Sequence, residues 1–351
     1  MSVTLAAEAT AAAPDPSGGG GGNGNSTLRY VLGKILSSAA TLFFVAIFNF
    51  FLFRVLPADP VKALTRNHAI SPEQLDEIRK QLGLGDPLWV QFRKYLFNLL
   101  HGDLGISYKY RQPVTTVIAD RIWPTILLVG ISTILCTIIG LWIGIHAAWR
   151  RDSMFDRVST GLTLTLYAMP EFWLGLILIL VFAQGVGPIP GIFPTSGLIT
   201  PGVDAASVRG VIDVIEHLTL PVITLTLGYL AEYSLVMRSS LLDEMGEDYL
   251  VTARAKGLRD TEVRKKHAVP NALLPSFTLI ILNIGFVVGG AITIETVFSI
   301  PGLGLLSYTA LSVPDFPVLQ GLFLLFSGAI ILANLVADLA YPRLDPRVRP
   351  S

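Results

Sequence analysis

Six apolar runs, each long enough to cross a bilayer, constrain this chain more than anything else in its 351 residues. A hydrocarbon layer about 30 Å thick is crossed by a helix of roughly 20 apolar residues. The runs lie at about 28–55, 124–147, 160–183, 218–237, 276–298 and 318–341. They are continuous and do not alternate with period two, so helices are expected rather than barrel strands. Every backbone N–H and C=O is then satisfied within its own span. Composition agrees, with 52% hydrophobic and 15% charged residues and a mean hydropathy of +0.59. The expected fold class is therefore an all-α membrane protein with six transmembrane helices. Gly140 and Gly144 in the second run have the spacing that lets two helices approach closely.

The runs divide the chain. Residues 1–27 form a glycine-rich tail too polar to bury anything, 28–55 the first span, and 56–123 a long loop. Residues 124–341 form a five-helix core that includes a polar connection at 238–275, and 342–351 a short tail. The first tail lacks a basic n-region, so the first span, entered by Arg29 and Lys34, is expected to act as an uncleaved anchor. Arg150, Arg151 and Arg157, the segment from Arg238 to Lys266, and Arg343, Arg347 and Arg349 all fall on one side when the spans alternate. The positive-inside rule makes that side cytoplasmic, with both termini inside. The 56–123 loop carries Arg79, Lys80, Arg93 and Lys94, but also Glu73, Asp76 and Glu77. Loops of that length translocate largely regardless of charge, so it is expected outside. Within it SPEQLDEIRKQLGL reads as a short helix, with Ser71 as N-cap, Pro72 at the first helical position and Gly83 at the end. A second helix is expected over Leu88 to Leu100.

Catalytic chemistry has no foothold. The single cysteine, Cys136, lies inside a span, so neither a disulfide nor a thiolate cluster is available. No HExxH or GxSxG is present, and the glycine-rich tail lacks the lysine of a phosphate-binding loop. No cofactor, metal site or nucleic-acid partner is expected, and the chain is expected not to be an enzyme. Ionisable groups inside spans cost roughly 2.5–3.5 kcal/mol at a helix centre, so each needs a reason. Glu232 in LGYLAEYSLVMR is read either as the wall of a water-filled pathway or as a partner of Arg238 or of a neighbouring helix. Glu295 in AITIETVF is read as a pathway residue near the outer mouth or as an interfacial cap. Asp338 and Asn334, four apart, suit a bond between helices.

DYLVTARAKGL, between the fourth and fifth runs, is neither a span nor a core helix. Glu247 and Asp248 suit the positive end of a helix dipole, Lys256 the negative end, and Gly257 the left-handed residue beyond it. Asp260 is expected to cap a second short helix that Pro270 ends. A small face through Thr252, Ala253 and Ala255 would admit the backbone of another protein. The plainer alternative is a polar surface helix that only completes the connection.

EDYLVTARAKGL resembles the cytoplasmic signature of the membrane permeases of ABC importers, in the dipeptide, oligopeptide and nickel branch. That signature is E-A-A, three residues, Gly, then nine residues and I-x-L-P. Ala253 and Gly257 fall on it, Val251 and Thr252 replace the Glu and first Ala, and HAVP at His267 to Pro270 replaces I-x-L-P. FRVLPADP, LGLGDPLWVQF, HGDLGIS, RIWPTILL, NALLP, ETVFSIPGLG, DFPVLQG and YPRLDPRVR are similar to the branch's recurring pieces, in order. The resemblance covers about 28–349. It implies a type I importer permease that pairs with a second, homologous permease, receives cargo from an extracytoplasmic binding protein and is driven by cytoplasmic ATPase subunits. It makes Glu247, Asp248, Tyr249, Thr252, Ala253, Arg254, Ala255, Lys256, Gly257 and Leu258 the coupling helix entering an ATPase cleft, and alternating access the mechanism. Peptides are the implied cargo, with nickel complexes or short oligosaccharides as alternatives. A secondary transporter would need inverted repeats and coupling carboxylates, and no repeat is visible.

Overall fold

The computed structural model describes residues 24–55, 85–289 and 291–344. The expected helix at SPEQLDEIRKQLGL lies outside them. Helix α1 covers Gly24–Val55, α2 Leu88–Leu100, α3 Val114–Trp149 and α4 Met154–Ala168. Helix α5, Glu171–Leu178, continues as a wider π-type turn to Gln184 and a small antiparallel pair, β1 Gly185–Val186 with β2 Ile189–Pro190. Then come α6 Val208–Glu244, α7 Asp248–Ala255, and α8 Asp260–Glu262, which runs on through a π-type turn at Val263–Ala268. The chain closes with α9 Val269–Gly289, α10 Ile292–Val297, α11 Leu303–Ser312 and α12 Phe316–Leu344.

Among the described residues, four helices are long and apolar enough to cross a membrane: Leu28–Phe53, Val114–Trp149, Val208–Glu244 and Phe316–Leu339. The count is five if α4 and the α5 segment, bent by 100°, form one span. Where the sequence suggested one continuous run at 160–183, the helix breaks at Met169. Pro170 has no N–H to donate and pushes the residue before it out of the helical region, and Met169 is extended at φ −80°, ψ 133°. The run at 276–298 is likewise divided, since α9 starts earlier, at Val269, and ends at Gly289, with α10 beginning afresh after Ala291. Helix α6 outruns the expected 218–237 at both ends, so Arg238 to Glu244 are helical and the polar connection begins only at Met245. The expected helix from Leu88 to Leu100 is observed.

Helix α3 is the spine. Its 36 residues rise about 54 Å, more than a hydrocarbon thickness, and three packed clusters sit at successive levels along it. Val114, Val117 and Ile118 meet Leu303, Leu306 and Leu322 at its start. Leu128 meets Leu220, Leu225, Ile294 and Phe298 further along. Ala148 meets Met237, Leu241, Leu250 and Ala272 at its end. Between the last two levels α3 and α6 nearly touch. A Cβ on Gly140 would stand 2.7 Å from Tyr233 Cβ, and one on Gly144 would stand 2.5 Å from the Ser234 carbonyl oxygen. Only glycine permits that approach, which replaces hydrophobic drive by close contact between spans. Across α1 and α12, Lys34 Nζ pairs with Asp338 at 2.8 Å and the Tyr30 hydroxyl donates to the Asp338 carbonyl. The bond expected of Asp338 and Asn334 together is thus made by Asp338, while Asn334 is exposed.

Candidate functional site

Helix α7 stands at the end of α3 and is closed at its C-terminal end. Glu247 occupies the N-cap position with extended backbone but makes no side-chain cap bond. At the other end Gly257 has φ +82°, and its N–H donates to Arg254 O at 2.9 Å. The Leu258 N–H reaches back to Ala253 O at 3.4 Å. This is the reciprocal pattern that closes a helix through a left-handed glycine. Half-buried Leu258 then packs with the cluster beneath, which aims the exit of the chain.

The helix has two distinct faces. Leu250 is fully buried and Ala253 is 7% exposed, both packed with Ala148, Met237, Leu241 and Val263. Asp248, Val251, Thr252 and Ala255, spaced as one helical face, are all exposed. This corrects the expected outer surface. Ala253 belongs to the inner face, because an alanine one turn after Leu250 is what lets α7 lie close on α6, and the outward small residues are Thr252 and Ala255 beside Val251. Exposed Lys256 closes the helix.

Side-chain bonds tie α7 to its neighbours. The Tyr249 hydroxyl donates to Glu244 and accepts from Asn271 Nδ2 at 2.9 Å, joining the ends of α6 and α9. Burial, together with the Glu244 carboxylate, raises the Tyr249 hydroxyl above the usual phenol range. Asp260 is not the expected N-cap, a position that Arg259 holds with extended backbone. Its carboxylate instead accepts from Trp149 Nε1 at 2.8 Å and lies 3.7 Å from Arg254 Nε. Arg254 and Arg264 flank the Trp149 ring at 6.0 and 5.9 Å, so α7 is clamped to the last residue of α3. Pro270 does not end a helix either. It is the second residue of α9, where a missing N–H is tolerated because the preceding turn is already π-type. Glu262 and Lys266 pair at 3.2 Å, and that ammonium holds the Glu262 carboxyl below the usual range.

The two span acids part company. Arg238 is not the partner of Glu232, since its guanidinium forks onto Asp156 at 2.7 and 2.9 Å. Glu232 is half-buried and faces Asn283, whose amide donates to the Tyr233 hydroxyl at 2.9 Å. Beside it lies a cavity of about 500 Å³ lined by Thr133, Cys136, Tyr229, Tyr233, Asn283 and Phe326 from α3, α6, α9 and α12. Sequence reasoning missed Tyr229, Tyr233 and Asn283. The one-turn spacing of Tyr229 and Tyr233 on either side of Glu232 was the available signal. Glu295, by contrast, is fully buried. Thr125 Oγ1 donates to one carboxylate oxygen at 2.8 Å and the Leu305 N–H to the other at 2.9 Å, while Thr125 also receives the Leu303 N–H. It holds the turn between α10 and α11, as the capping alternative expects, and a Cβ on Gly302 or Gly304 would collide with its carboxylate.

An apolar helical bundle with a short, two-faced helix mounted at one end of α3 defines the class, a multi-pass membrane protein. The comparisons give its family. Residues 137–350 match the family described as binding-protein-dependent transport system inner membrane component, and residues 27–129 match the description of its N-terminal part. A dipeptide transport system permease protein of Escherichia coli is 38% identical over 337 residues, covering 92% of this chain and 99% of the relative. A putative peptide permease protein of Brucella suis is 38% identical over 324 residues, with the same coverage. A glutathione transport system permease protein of Escherichia coli is 37% identical over 322 residues, again at 92% and 99%. The chain belongs to the binding-protein-dependent transport system inner membrane component family, as a multi-pass permease subunit of an ABC importer in the dipeptide and oligopeptide branch.

Proposed function

We propose that this permease carries peptides inward as one half of a pathway completed by a second, homologous permease, and that α7 is the helix by which ATPase subunits drive it. The observation that carries the second part is the outward face of α7. Asp248, Val251, Thr252 and Ala255 are exposed while Leu250 and Ala253 anchor the helix from below. A docking rod needs this combination, because a partner's motion passes on only through a helix that cannot roll. The Trp149 clamp and the Tyr249 bonds supply routes from α7 into α3, α6 and α9. ATP closes the partner subunits, α7 is displaced, and the spans rock between inward-facing and outward-facing arrangements. ATP hydrolysis then belongs to the partners, and an extracytoplasmic binding protein delivers the cargo.

Peptide cargo is supported by the relatives, which are named for dipeptide, peptide and glutathione transport, and they do not favour nickel or oligosaccharides. The cavity bordered by Tyr229, Tyr233 and Asn283, with Glu232 alongside, suits a substrate that has both apolar and hydrogen-bonding groups. The end bearing α7, rich in Arg254, Lys256, Arg264 and Lys265, is assigned to the cytoplasm by its positive charge. Both termini are assigned there too, and α9 is counted as the fifth of six spans.

The test is cross-linking in the assembled transporter, in a Cys136→Ser background. A cysteine at Thr252 should join an ATPase subunit, and a cysteine at Leu250 should not. Uptake of labelled dipeptides into reconstituted vesicles should require ATP and compete with tripeptides. A Thr252 cysteine that labels freely with bulky reagents and never cross-links would end the docking assignment.

A further inference from the structure

Helix α2 has more apolar surface than the described residues cover. Its inner side is occupied, with Phe92 against Phe50 and Phe51 at 5.2 and 5.9 Å, and the Tyr95 hydroxyl accepting from Asn49 Nδ2 at 3.3 Å. Yet Trp89 is 71% exposed, Phe97 62% and Leu100 84%. With Arg93 they fall at i, i+4, i+8 and i+11, a single stripe along the helix, while exposed Lys94 and Asn98 lie beyond it on the polar side. Lys94 is paired with Asp86 at 2.7 Å, whereas among the described residues no carboxylate pairs with Arg93.

The stripe continues a surface that already belongs to the bilayer. On α1, Phe44, Phe48 and Phe51 stand exposed along one face of a spanning helix. The rings of Phe51, Phe92 and Trp89 follow one another at 5.9 Å each, so the apolar face of α1 runs without interruption onto α2. Beneath α2 the same surface opens into an apolar groove of about 960 Å³. Leu42 and Ala46 of α1 and Gly321 and Gly328 of α12 line it, and Leu96 and Leu99 roof it. The groove follows α12 from Gly321 to Leu332, about 16 Å parallel to the spans. A partner helix laid across α2 would leave Arg93 buried between apolar neighbours. A lipid surface gives the guanidinium a phosphate and lets its stem snorkel past Trp89 and Phe97.

We propose that α2 is an interfacial helix, seated in the boundary between headgroups and acyl chains by Trp89, Arg93, Phe97 and Leu100, with lipid acyl chains filling the groove under it. The contact is independent of which cargo is carried and of how α7 is driven.

The test uses the full chain with Cys136→Ser, reconstituted in phosphatidylcholine and phosphatidylglycerol vesicles. Nitroxide labels go in turn on Trp89→Cys, Phe97→Cys, Lys94→Cys and Asn98→Cys. Labels at the first two sites should collide with oxygen severalfold more, relative to a water-soluble nickel chelate, than labels at the last two. In the otherwise native chain, acyl-brominated lipids should quench a tryptophan component that Trp89→Phe removes. Equal nickel access at all four sites, with no such component, would make α2 a helix in water. Shielding of residues 89 and 97 from both reagents, arising only when the second permease is present, would make the stripe a protein interface. Either result overturns the proposal.

Discussion

Two short helices stand beside opposite ends of α3, and their outward faces differ in kind. Helix α2 turns out Trp89, Phe97 and Leu100 around one cation, while α7 turns out Asp248, Val251, Thr252 and Ala255. Large apolar groups beside a guanidinium match a soft, deformable surface that has both hydrocarbon and phosphate to offer. Small groups match a rigid protein cleft, where close approach rather than area decides the fit. The mounting differs in the same sense. Among the described contacts, α2 rests on rings and the Tyr95–Asn49 bond to α1, whereas α7 is closed by Gly257, clamped on Trp149 and bonded through Tyr249. An anchor tolerates play that a lever cannot.

The largest effect should come from the inner face of α7. Ala253→Trp forces an indole into the cluster of Met237, Leu241, Leu250 and Ala268. Overpacking of a filled core costs about 1–3 kcal/mol and often more. The expected outcome is loss of folded permease from the membrane, read as abundance and protease resistance, with the ATPase lost as a consequence. Normal abundance would mean that α7 lifts off its bed, and its rigid mounting would be wrong.

Next is Ala255→Trp, two residues further along and so on the opposite, exposed face. Abundance should stay near normal, while copurification of the ATPase subunits falls at least tenfold, a loss of about 1.4 kcal/mol or more in binding. Unchanged copurification and coupled uptake would leave α7 a plain connection. The two alanine variants together separate fold from docking, which neither does alone.

Gly257→Val should act between these. At φ +82° a β-branched side chain is strained, by about 1–2 kcal/mol, and nothing lies within 4 Å of the site to clash with it. The closing bonds from Gly257 and Leu258 to α7 should loosen. ATP hydrolysis should persist and become uncoupled from cargo, with uptake per ATP falling severalfold and abundance changing little. Gly257→Asn, which tolerates positive φ, should restore coupling in part.

The helices of this fold were largely legible because hydrocarbon imposes a length that a sequence cannot disguise. The α7 unit was legible through Gly257, whose type alone marks the bend. The inward turn of Ala253 was not, because the direction of a small residue is decided by Met237 and Leu241, which lie near it only after folding. Nor was the break at Met169 seen, although Pro170 announced it, since an apolar run on both sides masks a backbone signal. Arg238 lies six residues after Glu232 and offered itself as a partner, but the acid it pairs with, Asp156, stands 82 residues away. Glu295 could be read as a cap from ETVFSIPGLG, since a turn rich in glycine needs an acceptor for its free amides.

The smallest effect should be on α2. Trp89→Ala removes an indole that is 71% exposed in the chain by itself, so little protein packing is lost. If roughly 40 Å² of that surface is held by lipid, about 1 kcal/mol disappears at 25 cal/mol per Å². That corresponds to a fall of a few degrees at most in the unfolding midpoint in lipid nanodiscs. Abundance, ATPase copurification and uptake per ATP should match the unaltered chain, because α2 touches neither α7 nor its cluster. Trp89→Phe should recover most of the midpoint. The contrast with Ala255→Trp is the point of the measurement, since that variant should spare the midpoint and lose the partner. A Trp89→Ala permease of normal abundance that no longer retained its ATPase would show coupling passing along α3 from one end to the other. The two helices would then be parts of one lever instead of an anchor and a lever.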